Sequence, residues 1–340
     1  MNAAPVPPVI AEAVRGGFGE SRHRGTLVVL APGGRVAHQL GDPRRPMFPR
    51  SSAKPLQAVA LLHPGDPLHG ETLAVAAGSH TGQPRHIAAV RHILASAGLD
   101  ESALATPAAL PWPPEPYLRS GGHARPVLMN CSGQHAAMLA LCVAEGWPTD
   151  GYLHPDHPVQ QRVRTGLEAL TGEHATHTGV DGCGAPVLAF TLLGLARGFQ
   201  RVATARPGTP AHRVAAAMRA HPYFVSGEDG FDTRLMTAVP GLLAKAGAEA
   251  VQCLALPDGS TLALSVEDGT KRAVGPAVAA VLRHLLPASP GLAARLSEVE
   301  NVCASPLPGP NGPTGEVRAA FTLPPRGAQG PASLGTPSGR

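Results

Sequence analysis

A chain of 340 residues with 43% hydrophobic but only 4% aromatic residues must build its core from Ala, Leu and Val, and it is long enough for one large domain. A net charge of +4, with arginines scattered rather than striped and few aromatics, excludes a nucleic-acid-binding surface. The five cysteines are an odd number spread over the chain and read as reduced thiols, and no leader pattern or apolar run of membrane-spanning length occurs, so a soluble cytoplasmic protein with no membrane contact is expected.

In chain order, Thr26–Leu30 and Arg35–Leu40 flank Ala31-Pro32-Gly33-Gly34, which is a hairpin signal. A helix is expected from Lys54 to Leu62, with Pro55 tolerated in its first turn. Apolar residues at helical spacing predict further helices at about 85–97, 134–145, 157–171, 185–198, 209–220, 236–247 and 273–286. Strands resume at 251–256 and 261–266, joined through Pro257-Asp258-Gly259-Ser260, and a last one is expected at 316–321. Strands at both ends of a helical middle imply a mixed α/β protein: one mixed sheet completed by both termini and packed against a helical lobe. Residues 10–322 are read as one catalytic domain and 323–340 as a disordered tail rich in Pro, Gly and Ser.

The chain contains only three lysines among its 28 basic residues, and one of them lies in Ser51-Ser52-Ala53-Lys54. A guanidinium stays protonated at any workable pH, whereas an amine desolvated in a cleft can act as a base. A Ser at a helix start and a Lys one turn later share a face, so the Lys54 amine can reach the Ser51 hydroxyl. Ser51 is therefore a candidate nucleophile, with backbone N–H groups of the helix start available to an oxyanion. The plain alternative is a Ser near a helix start with a solvated Lys.

Two cysteines sit in tight turns before apolar helices, in Asn130-Cys131-Ser132-Gly133-Gln134-His135 and Asp181-Gly182-Cys183-Gly184-Ala185-Pro186. Thiolates at helix N-termini are stabilised, and two such segments converging could bind zinc with His135 or another donor. Each Cys could equally be a small buried apolar residue. In Ala76-Ala77-Gly78-Ser79-His80-Thr81-Gly82, the small residues suggest close backbone approach and a turn presenting Ser79, or else a cap for the helix that follows.

Eight segments then fall in one order: Arg15-Gly16-Gly17 with Glu20–Gly25, Arg50–Gln57, Gly78–Gly82, Asn130–Gly133, Tyr152 with His157–Gln161, Asp181–Pro186, His221-Pro222 with Val225 and Gly227, and Glu267-Asp268-Gly269. From about residue 10 to 320 this order resembles the asparaginase II family, the rhizobial-type L-asparaginases. The resemblance implies a fold similar to serine β-lactamases and glutaminases, a homodimer, and hydrolysis of L-asparagine to aspartate and ammonia through a serine acyl-enzyme. It implies catalytic roles for Ser51, Lys54 and Ser79, zinc on Cys131 and Cys183, and a substrate environment of Arg50, His135, Asp181 and Ser265. The family's metal-site Lys corresponds to Gln134, and the lysine of its second Ser–Lys pair is placed at Ser265. With both positions changed, a weakened zinc site is expected, and the alternative is a weak or silent homologue that binds a small amide or amino acid. A penicillin-recognising enzyme is a third reading, for which no S-D-N or K-T-G triplet is present.

Overall fold

The computed structural model describes residues 6–288 and 291–324. The tail expected to be disordered lies, from 325 onward, outside the described residues. Among those described, eight strands form one sheet in the order Pro306–Leu307, Gly315–Ala319, Val9–Arg15, Phe18–Leu30, Thr261–Val266, Val251–Ala255, Leu243–Ala246, with Val36–Leu40 also paired to Phe18–Leu30. Every pairing in it is antiparallel. N- and C-terminal strands lie side by side, so the two chain ends do complete one sheet. The first turn explains itself: Gly16 and Gly17 adopt φ of +55° and +83°, the left-handed pair that a two-residue hairpin needs.

Consecutive residues Leu27–Leu30 and Leu262–Leu264 are fully buried, so both faces of the central strands are covered. Helix Leu192–Ala203 packs on the central strands, and Val274–Leu285 packs against Val9–Arg15, Thr261–Val266 and Gly315–Ala319. The helical lobe is built from Lys54–Leu61, Gly70–Ala76, Pro84–Ser96, Ser132–Ala144, Pro158–Thr171 and Pro210–Ala220. Lys54–Leu61 packs against four of the others and against Leu192–Ala203, which fixes its first turn in space.

Two expected helices are corrected. The segment 185–198 makes short strands Pro186–Leu188 and Phe190–Thr191 before a helix that starts at Leu192, where Thr191 caps by accepting from Gly194 N. The segment 236–247 ends a helix, Phe231–Ala238, and then forms the edge strand Leu243–Ala246. Pro240 and Gly241 force this break: Val239 is extended ahead of the proline, and Gly241 has φ +79°. Lys245 thus lies on a strand, not a helix.

Candidate active site

Ser51 lies in the 3-10 turn Arg50–Ala53, and Lys54 is the first residue of the α-helix that continues it. Side chains three apart in a 3-10 turn eclipse, so Ser51 and Lys54 face the same way. Arg50, which opens the turn, holds a left-handed φ of +52°, a conformation that a non-glycine residue keeps only when its surroundings impose it. Its guanidinium donates twice to Asp181 Oδ1, at 3.0 and 2.7 Å, tying the turn to the loop of Cys183.

Lys54 is buried and its Nζ donates to Gly78 O at 2.6 Å. Gly78 is required there: a Cβ would sit 2.5 Å from Phe224 O. Close backbone approach is what the small residues before Ser79 suggested, and the cap of the next helix falls instead on Gln83. Ser79 N donates to Val225 O, while Ser79 Oγ is buried without a hydrogen-bond partner among the described residues. A buried, unmatched hydroxyl is costly unless something binds it.

Ser51 and Ser79 border one cleft of about 570 Å³ together with Asn130, Asp232, Lys245 and Arg272. Lys245 is fully buried; its Nζ donates to Ala246 O at 2.7 Å and lies 3.8 Å from Asp232 Oδ2. Burial, opposed by Asp232 and aided by the Lys54 charge, pushes its amine down to about 8. Gly247 lets the Lys245 strand reach the Ser51 turn, because a Cβ there would lie 2.6 Å from Pro49 O.

Lys245 is the functional candidate that sequence reasoning missed. Ser265, where the second lysine was looked for, sits on Thr261–Val266 opposite Thr26 and borders a separate hollow with Gly25, Asp42 and Glu267. Ser265 is therefore not brought together with Ser51. A signal for Lys245 was present: Lys245-Ala246-Gly247 differs by one residue from K-T-G and follows the Pro240-Gly241 break.

On the other side of Ser51, a small cavity of about 20 Å³, room for about one water, is lined by Arg50, Lys54, Gln57, Cys131, Gln134, Asp181 and Cys183. The Cys131 thiol is held low by a hydrogen bond from Cys183 and by Lys54, against burial, and Cys183 is held high by the same contact and by burial. Gln134 donates its amide to Gln57 Oε1 at 2.6 Å, and the one Asp181 oxygen that Arg50 grips is also bonded by Gly182 N. His135 borders neither cavity; its Nδ1 meets Tyr152 OH at 2.8 Å, its Nε2 has no partner among the described residues, and burial together with Lys54 pushes the ring down to about 3. Among the described residues no three His, Cys, Asp or Glu side chains form a group that could hold a metal. Two thiols alone fall short of the three or four protein ligands zinc takes, so these residues do not make a fitted zinc site.

Residues 11–319 match the L-asparaginase II family. The chain belongs to that family. The match takes in all but the outermost residues of the sheet and the whole helical lobe, and it makes amide hydrolysis the class of chemistry for this site. No curated protein matches. Among solved structures, the native form of Mglu aligns with 15% identity and a TM-score of 0.42 over 78% of this chain and 65% of that one. A β-lactamase from Mycobacterium bovis aligns with 16% identity and a TM-score of 0.42 over 87% and 97%, and one from Burkholderia vietnamiensis with 15% and 0.32 over 82% and 92%. Against Mglu the aligned part of this family member is thus just under two thirds of the longer chain. No helix among the described residues is long and apolar enough to cross a membrane.

Proposed function

We propose that the protein hydrolyses the side-chain amide of L-asparagine to L-aspartate and ammonia through a Ser51 acyl-enzyme. The observation that carries this reading is the meeting of Ser51, Ser79 and Lys245 in one cleft, with Lys54 buried behind the Ser51 turn. Lys54 in its neutral form takes the Ser51 proton as Oγ attacks the amide carbon. Ser79 and Lys245, on the cleft side, pass a proton to the departing nitrogen; an amine pushed down to about 8 exchanges protons near neutral pH. Water then cleaves the ester and restores Ser51. Arg50 and Asp181 act as positioning residues that hold the turn carrying Ser51.

Lys245 in the cleft removes the main reason to read the chain as a silent binding homologue, which was a missing second lysine. Homodimerisation remains the expectation for a soluble enzyme of this kind. The test is ammonia release from L-asparagine and L-glutamine by the purified protein and by Ser51→Ala, with intact mass recorded during turnover. Asparagine turnover with a transient mass gain, both lost in Ser51→Ala, is expected; turnover retained by Ser51→Ala would sink the mechanism.

A further inference from the structure

Asparagine hydrolysis releases ammonia, one heavy atom, yet the cleft beside Ser51 holds about 570 Å³. Pockets of that size take ligands several times larger than a free amino acid. Its charge is equally one-sided. Arg234, Lys245, Lys271 and Arg272 line it, and the one acid among the lining residues is Asp232. Asp232 is buried and already accepts from Ala246 N at 2.8 Å and Gln252 Nε2 at 2.9 Å, so it does not neutralise the rim. Arg234, Lys271 and Arg272 are all exposed at that rim.

Arg272 is held in place by buried structure. Its Nε donates to His23 Nε2 at 3.0 Å, and a second nitrogen donates to Ser21 Oγ at 3.0 Å. With Nε2 accepting, His23 carries its proton on Nδ1 and donates it to Asp268 Oδ2 at 2.6 Å. His23 is itself only 4% exposed. Asp268, His23 and Ser21 thus aim the guanidinium as a fixed fork, the geometry that suits a carboxylate. Among the described residues, its other terminal nitrogen has no hydrogen-bond partner.

The direction of binding follows from where protons must go. A departing amine needs a proton donor beside it, and Ser79 and Lys245 line this cleft. The opposite chamber, with Arg50 and Asp181, has room for about one water. Whatever is attached to the leaving nitrogen therefore extends along the cleft toward Lys271 and Arg272.

We infer that the preferred substrate of this site is an amide whose leaving nitrogen carries a carboxylate, as in a dipeptide joined through a side-chain carboxyl, with Arg272 and Lys271 binding that carboxylate. The inference rests on the Ser51 amidohydrolase reading. In the reaction the C–N bond breaks as the Ser51 Oγ–acyl bond forms. The Ser51 proton passes to the leaving nitrogen, so an amino acid departs in place of ammonia. Water then gives its hydroxyl to the acyl carbon and a proton back to Ser51.

The experiment compares β-aspartyl-glycine with its C-terminal amide, which differ only in the distal carboxylate. Their binding to Ser51→Ala protein is measured by titration calorimetry, and their turnover by native protein is measured beside that of L-asparagine. Tighter binding of the free acid by about tenfold or more is expected, with most of that advantage lost in Ser51→Ala combined with either Arg272→Gln or Lys271→Gln. Equal binding of the two ligands, or an advantage kept by both double variants, overturns the inference. Asparagine turnover with no carboxylate preference overturns it while sparing the amidohydrolase reading. Carboxylate-selective binding with no amide turned over by native protein overturns that reading, and the substrate assignment falls with it.

Discussion

Replacing Lys245 by Met separates a proton-handling amine from a structural one. The native amine is 1% exposed, 3.8 Å from Asp232, and pushed from 10.5 down to about 8 by burial and by Lys54, even with Asp232 pulling the other way. At about 1.4 kcal/mol per unit of pKa, that fall means the charged amine weighs about 3 kcal/mol against the folded state. The attraction of Asp232 is already included in that figure. Met fills a similar volume without charge, and Asp232 keeps its bonds from Ala246 N and Gln252 Nε2. Loss of the bond to Ala246 O costs about 1 kcal/mol. The variant should therefore match or exceed the native thermal stability at pH 7, while ammonia release falls by about 10²–10⁴-fold. The sign with pH follows from the depressed value: between about 8 and 10.5 the unfolded chain binds more protons than the folded one. Native stability should gain a contribution as pH rises through that window and lose it as pH falls toward 8, and the variant should lack it. Thermal melts from pH 7 to 10.5 and initial rates on the same preparations provide the check. A variant that is clearly less stable, or one that keeps its turnover within about threefold, would refute the reasoning.

Gly247→Ala should lower turnover more than tenfold and cost about 1–3 kcal/mol, because its Cβ would meet Pro49 O at 2.6 Å and push the Lys245 strand off the Ser51 turn; a native kcat/KM in a folded variant would show that this approach is not needed. Exhaustive treatment with a chelator should leave turnover within about twofold, since Cys131 and Cys183 lack a third ligand among the described residues; loss of activity restored by zinc would show that Gln134 or another group completes the site.

Ser51 and Lys54 were legible because they lie within one turn of chain, where spacing alone fixes which side chains meet. The cleft itself is non-local. Residues 236–247 carry apolar side chains at Met236, Val239, Leu242, Leu243 and Ala246, a pattern that reads as helix until Pro240 and Gly241 are weighed as a break. Similar apolar runs at 243–246, 251–255 and 261–266 give no hint of which strand ends the sheet. Pairing decides it: Thr261–Val266 is interior, bonded on both sides, whereas Leu243–Ala246 is the edge, free to face a cleft. A lysine sought at Ser265 was therefore one hairpin and two strands from its place. The better clue was composition. A chain that uses arginine for nearly all its positive charge has three lysines, Lys54, Lys245 and Lys271, and the fold gathers all three around Ser51. Where most surface cations are guanidinium, an amine that survives marks a place where the proton has to be able to leave or the charge has to be compact.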